Sequence, residues 1–382
     1  MRLKDCHNIA DFRRLAKQRL PGPIFDYIDG GADDELTLRR NVESYDRCDL
    51  VPNVLSGVET PDLRTTVLGR EIAMPLFCSP TAMQRLFHWQ GERAVSKAAE
   101  KFGTYFGIST IGTVSLEEIG QSVSTPKLFQ FYVHKDPGLN RALLDRAKEA
   151  GFDAVAVTVD TAAGGNRERD LRSGFTTPLK MSPSLAWQFA THPYWTASYL
   201  SHEKFDLPNL SGHLAEGSDV AMNVQDYINN MLDDAMDWKA AEQIAKDWGG
   251  EFAIKGLMSP EDAKRAADIG STAVIVSNHG GRQLDGSRAP FDQLAEICDA
   301  VADRIDVICD GGIRRGSHVL KALSVGAKAC SGGRLYLYAL AGGGQAGVER
   351  ALGRLRDEIA RDMKLMGMAS VDDLSRANIR WR

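Results

Sequence analysis

Short apolar runs recur along this chain at 73–79, 104–109, 127–133 and 154–159, then at 251–255, 273–277, 306–310 and 327–331. Each has the length and turn-bounded character of a strand covered on both faces. Between them, apolar residues fall at helical spacing over 91–102, 137–150, 259–269, 290–303 and 315–325. Eight strand–helix units of this kind predict an α/β fold, a parallel (β/α)8 barrel forming a single domain over 1–382. Two stretches break the rhythm. Residues 1–60 precede the barrel and read as a helical extension, punctuated by Pro21 and Pro23. An insertion over 165–238 separates the fourth and fifth strands and exceeds an ordinary βα loop. An open doubly wound sheet would need a dinucleotide fingerprint after its first strand, and the sequence has none there.

Polar residues punctuate the ends of these runs: Gln130, Tyr132, Asp160, Lys255, His279, Asp310 and Arg334. A barrel brings such ends to one rim, where barrel active sites lie. The richest loop is Ser277-Asn278-His279-Gly280-Gly281-Arg282-Gln283-Leu284-Asp285. His279 can take or deliver a proton near neutral pH, and Arg282 offers a planar fork for a carboxylate. Glycines 280 and 281 let a ligand approach the backbone. The plainer alternative is a turn with a surface His and Arg. Likewise Asp160 could be a helix N-cap, and Lys255 a strand-end lysine reaching solvent. Asp310-Gly311-Gly312-Ile313-Arg314 and Ser331-Gly332-Gly333-Arg334 follow the seventh and eighth runs, where barrels bind phosphate. Together these loops point to a phosphate-bearing ligand.

Composition narrows the classes. The formal net charge is −5, with no basic stripe, which argues against a nucleic-acid partner. The start lacks the apolar core of a signal peptide, and no apolar run nears the roughly 18 residues of a spanning helix. A cytoplasmic protein is expected. The six cysteines are scattered without metal-type spacing, so reduced packing thiols and no metal site are expected.

The motifs Asp26-Tyr27-Ile28, Ser79-Pro80-Thr81-Ala82-Met83, Gln130-Phe131-Tyr132, Thr158-Val159-Asp160 and Lys255-Gly256 join the His279 loop and both glycine loops. In this set the chain resembles, over nearly its whole length, the FMN-dependent L-2-hydroxy-acid oxidases and dehydrogenases of the lactate, mandelate and glycolate type. The resemblance implies FMN as cofactor, a small 2-hydroxy acid as substrate and a homotetramer. It makes His279 the base, with Asp160 stabilising its imidazolium. Arg282, Arg167 and the Tyr27 hydroxyl bind the substrate carboxylate, and Tyr132 lies near the substrate hydroxyl. Lys255 faces the N1/O2 edge of the flavin. Pro80, Thr81, Ala82, Ser109, Gln130, Thr158 and Ser277 belong to the flavin site. Asp310 takes the ribityl chain, and Gly312, Arg314, Gly333 and Arg334 take the phosphate.

The chain departs from the plant glycolate-oxidase pattern. Ile111 replaces a tryptophan, and Ala162-Ala163-Gly164-Gly165-Asn166 replaces a bulkier stretch, which implies room above the flavin for lactate or a larger acid. Asn166-Arg167-Glu168-Arg169-Asp170-Leu171 is similar to mandelate and bacterial lactate dehydrogenases. The segment 180–210 carries Trp187, Phe189, Tyr194, Trp195, Tyr199, Leu200 and Phe205. These aromatics either meet a membrane interface peripherally, making a quinone the electron acceptor, or pack the insertion onto the barrel. An oxygen-using oxidase is the alternative. Gly342-Gly343-Gly344 reads as a connection before the last helix rather than a further phosphate loop. Two rivals stay open at this stage: another flavin barrel enzyme, and a non-catalytic flavin-binding protein.

Overall fold

The computed structural model describes residues 1–175, 182–210 and 229–382. Parts of the insertion, 176–181 and 211–228, therefore lie outside the described residues. All eight apolar runs contain strands: β1 (Leu76–Thr81), β2 (Phe106–Ser109), β3 (Lys127–Phe131), β4 (Ala154–Thr158), β5 (Glu251–Leu257), β6 (Ala273–Ser277), β7 (Asp306–Asp310) and β8 (Ala329–Gly332). Each pairs in parallel with the next, and β8 pairs with β1 to close the barrel. Closure removes every sheet edge and covers both faces, which is why the runs are continuously apolar rather than alternating.

The five expected helices form at Glu92–Lys101, Pro137–Glu149, Pro260–Asp268, Pro290–Val301 and Gly316–Val325. Leu116–Ser122, Trp238–Trp248 and Arg334–Met366 complete the outer ring. Asp136, Ser115, Asp237 and Ser259 each cap a helix start by accepting from a backbone N–H. In Arg334–Met366 the helical path breaks at Gly343 and Gly344, so that glycine run is a kink.

The extension is only partly helical. Ile9–Arg19, Gly22–Asp29 and Leu36–Glu43 are helices, but Cys48–Leu50 is a strand paired antiparallel with Ile379–Trp381. The hairpin Thr65–Val67/Arg70–Ile72 follows. Its Val67, Leu68 and Ile72 join Phe77, Tyr105, Ile275 and Ile308 in the core inside the barrel. The hairpin thus plugs the end of the barrel opposite the functional rim.

Strand register determines that rim. Ser109 lies opposite Gln130, Thr158 opposite Lys255, and Asp310 opposite both Ser277 and Ser331. Polar side chains from seven strands therefore share one level at the carboxyl ends, where the βα loops begin.

Candidate active site

The rim opens into a cleft of about 1060 Å³. Its walls include Pro80, Thr81 and Ala82 from the end of β1, and Ser109 and Ile111 after β2. Tyr132, Lys255, His279 and Arg282 come from the ends of β3, β5 and β6. Asp310, Gly312, Arg314, Gly333 and Arg334 follow β7 and β8, while Arg167 comes from the insertion and Tyr27 from the extension. Residues scattered over more than three hundred positions meet because barrel closure collects the strand ends.

His279 sits in the left-handed region at φ +57°, which is uncommon for a residue with a side chain. The strain is held by its neighbours: the His279 amide donates to Ser277 Oγ, and its Nδ1 meets Asp160 Oδ1 at 2.9 Å. With Nδ1 engaged, Nε2 is the nitrogen left for chemistry. Burial lowers the imidazole pKa from its ordinary value while Asp160 opposes that shift, and the net direction favours the neutral ring. Burial raises the Asp160 carboxyl, but the attraction of His279 and Lys255 outweighs it and the net shift is downward. Asp160 Oδ2 is buried without a hydrogen-bond partner among the described residues. The pair is thus an imidazole backed by a carboxylate whose second oxygen has no partner among the described residues.

Tyr27 organises the opposite wall. Arg282 lies 4.8 Å and Arg167 6.0 Å from its ring centroid, and Phe175 stacks on the ring at 4.6 Å. Arg282 Nη1 donates to the carbonyls of Tyr27 (2.6 Å) and Gly30 (3.0 Å), which locks the guanidinium while leaving its other nitrogens for an anion. Burial, helped by Arg167, brings the Arg282 pKa down to about 10, so it stays charged at pH 7. Arg167 Nε is buried with no hydrogen-bond partner among the described residues. Two cations this close are an unfavourable pair until an anion joins them, and a carboxylate is the group they match.

Gln130, Thr158 and Ser277 do not line the cleft. They form the tier beneath it: Ser109 Oγ donates to Gln130 Oε1 (2.7 Å), and Gln130 Nε2 donates to Thr158 Oγ1 (2.8 Å). Asp310 accepts from Ser79, Ser277 and Ser331, so it is the hub of that tier as well as part of the wall. Lys255 is only 5% exposed, and among the described residues its Nζ meets Ser277 Oγ at 3.5 Å and Asp310 Oδ2 at 3.8 Å. A buried ammonium held so loosely calls for an electron-rich acceptor in the cleft.

The Arg334 guanidinium lines the cleft and is fixed there by donating to the carbonyls of Ile28 (2.7 Å), Gly280 (2.8 Å) and Gly30 (2.6 Å). These bonds use three of its five N–H groups. Beside it lie the start of Arg334–Met366, with Gly333 as N-cap, and Gly312 and Arg314, a set of donors suited to an anion. The Gly316–Val325 helix start is already closed, since Gly316 N donates to Glu358 Oε2 at 2.8 Å. A helix start at one end of the cleft and a buried ammonium at the other fit a flavin mononucleotide.

The sequence reading singled out neither Phe87 nor Phe175. Phe87 lines the cleft near Ile111 and stacks on Tyr27 at 6.2 Å, so the room left by the small Ile111 is bounded by an aromatic wall. Nothing local marks Phe87, because its role depends on Tyr27 arriving from the extension. Gln283 was within reach, lying inside the quoted loop. Its Nε2 donates to the carbonyls of Asp160 and Ala163, both at 2.8 Å, tying the His279 loop to the start of the insertion.

Comparisons with known proteins agree with this geometry. The model of the family described as FMN-dependent dehydrogenase matches residues 16–381. The chain is 38% identical over 374 residues to an L-lactate dehydrogenase of Xanthobacter autotrophicus, covering 97% of this chain and 95% of that protein. It is 36% identical over 377 residues to an L-lactate oxidase of Streptococcus iniae, covering 98% and 86%. Among solved structures, a monotopic membrane protein, (S)-mandelate dehydrogenase, superposes with a TM-score of 0.94 at 32% identity, covering 99% of this chain and all of that one.

Proposed function

Because the chain belongs to the FMN-dependent dehydrogenase family, we propose that this cleft oxidises an L-2-hydroxy acid to the 2-oxo acid with FMN as cofactor. The observation that carries this reading is the facing of two parts: the His279–Asp160 dyad and the Arg282–Arg167 pair, both opening on one cleft. FMN supplies the two-electron acceptor that no side chain can provide. Gly312, Arg314, Arg334 and the backbone at Gly333 would hold its phosphate, and Pro80, Thr81, Ala82 and Ser109 would hold its ring, with Lys255 at the edge. Arg282 and Arg167 grip the substrate carboxylate, with the Tyr27 hydroxyl beside them. That clamp presents the α-carbon and its hydroxyl to His279 Nε2 and Tyr132. His279 takes a proton, and Asp160 stabilises the resulting imidazolium across the Nδ1 hydrogen bond. Removal of the proton from carbon or from oxygen draws on the same residues.

The test is anaerobic mixing with paired L- and D-2-hydroxy acids while flavin absorbance is followed. L-acids are expected to bleach the flavin and D-acids to leave it oxidised, because clamp and base together select one face of the α-carbon. The space beside Ile111 and the Phe87 wall favour lactate or a larger apolar acid over glycolate. Equal bleaching by both enantiomers would overturn the clamp, and a clear preference for glycolate would overturn the roomy pocket.

The acceptor reading rests on the insertion. Trp195 is buried and its Nε1 donates to the Leu86 carbonyl, so this tryptophan packs the insertion onto the barrel. Trp187, Tyr194 and Leu200 are 69%, 62% and 73% exposed on the helices Pro183–Thr191 and Pro193–Ser201. The Arg19 guanidinium lies 5.1 Å from the Tyr194 ring centroid. Among the described residues no helix is long and apolar enough to cross a membrane. Exposed aromatics beside a cation suit peripheral contact with a bilayer, and hence a quinone acceptor. Native membranes are then expected to retain the protein, and a soluble quinone analogue to reoxidise the flavin faster than oxygen does. Reoxidation by air as fast as flavin reduction would make the enzyme an oxidase.

A further inference from the structure

The helix Leu36–Glu43 lies between the two loops that matter most, and Asn41 touches both. Its side chain forms a reciprocal amide pair with Asn278: Asn41 Nδ2 donates to Asn278 Oδ1 at 2.8 Å, and Asn278 Nδ2 donates back to Asn41 Oδ1 at 2.7 Å. Both residues are buried, at 2% and 7% exposure. Asn278 Oδ1 also accepts from Gly281 N, and its Nδ2 also donates to the Arg288 carbonyl. It thus spans the loop that holds His279 at positive φ.

The backbone of Asn41 meets the other loop. A Cβ on Gly312 would stand 1.8 Å from the Asn41 carbonyl oxygen, so only glycine fits there, and Gly312 is at φ +74°. Below it, Tyr45 donates to the Gly311 carbonyl at 3.1 Å. The helix is pinned at its start as well, since Asp285 accepts from the Leu36 and Thr37 amides. A side-chain lock on the base loop and a backbone wedge under the phosphate loop therefore belong to one residue.

We propose that Asn41 is a positioning residue that couples occupancy of the phosphate loop to the placement of His279, through its amide pair with Asn278 and its backbone contact with Gly312. FMN that seats on Gly312 presses on the helix, and the amide pair passes the setting to the base. The proposal rests on the reading of His279 as base. It adds that a residue outside the barrel strands, at the edge of the cleft, tunes that base.

The experiment uses the full chain carrying Asn41→Ala, Asn278→Ala or both. FMN affinity is measured on apoprotein by fluorescence titration, and the pH dependence of flavin reduction is measured at saturating FMN. Losing a buried hydrogen bond is expected to weaken FMN binding about 5- to 10-fold in Asn41→Ala. A loosened His279–Asp160 contact moves the acid limb of flavin reduction down by about half a pH unit. The double variant is expected to be no worse than the more affected single, the signature of one shared interaction. Asn41→Ser keeps one hydrogen-bonding group and reads the same limb if Asn41→Ala does not fold. Lower thermal stability with unchanged FMN affinity and an unmoved limb would make Asn41 a packing residue and overturn the proposal. Weaker FMN binding with an unmoved limb, or additive effects of the two variants, would overturn the coupling. His279→Ala run alongside separates the cases: normal flavin reduction there defeats the base assignment, whereas the FMN titrations report on the Asn41–Asn278 pair alone.

Discussion

His279→Ala is expected to bind FMN normally and to reduce it about 100- to 10,000-fold more slowly with substrate, the usual contribution of a positioned general base. The cofactor walls do not depend on the imidazole, and the Arg282 guanidinium is anchored on the carbonyls of Tyr27 and Gly30. Substrate affinity should therefore change little while the chemical step collapses. Stopped-flow reduction under anaerobic conditions measures the step directly. The native enzyme should hold its rate through neutral pH and lose it below the ordinary imidazole range. The reason is that burial, resisted by Asp160, leaves the His279 pKa lowered, and only the neutral ring can accept the proton. Near-normal reduction in the variant would place the base elsewhere, with Tyr132 the nearest candidate.

Asp160→Asn is the second large effect and differs in kind. The side chain keeps its shape and an oxygen for the Nδ1 hydrogen bond, but loses the charge that favours imidazolium. A carboxylate beside a cation is worth about one to three pKa units, so flavin reduction should slow about 10- to 1,000-fold. The sign on the pH axis follows. Asp160 raises the imidazole pKa against burial, so its removal should lower that pKa further and carry the acid limb to lower pH as the plateau falls. A fall in plateau with an unmoved limb would mean that Asp160 only orients the ring. The two variants are also expected to be non-additive, because removing the imidazole leaves Asp160 nothing to stabilise.

Much of this was legible without coordinates. The eight runs became eight strands because a barrel strand buried on both faces must be apolar throughout, a demand visible in a window of five residues. The helices expected over 137–150 and 259–269 formed, with Asp136 and Ser259 capping their first turns in the folded chain. The motif residues gathered at the rim because each stands at a strand end, and strand ends in a closed barrel converge. The extension was harder. Residues 48–50 pair with 379–381 across the length of the chain, and no local pattern announces a partner so distant.

What the sequence determined by itself is what short-range physics controls: the alternation of strands and helices, the glycine loops, and the residue types at strand ends. Tertiary structure decided how those groups are used. Arg334 and Arg282 look alike in sequence, each an arginine close behind a pair of glycines. Yet the carbonyls of Ile28, Gly30 and Gly280 fix the first through all three of its nitrogens, while the second is held through Nη1 alone, by the carbonyls of Tyr27 and Gly30. Trp187 and Trp195 look alike too, but one is exposed and the other is bonded to Leu86. The physical reason is that a polar or aromatic group acts through the partners it lacks as much as through those it has. Those partners arrive from segments hundreds of residues away, which only the folded chain brings into contact.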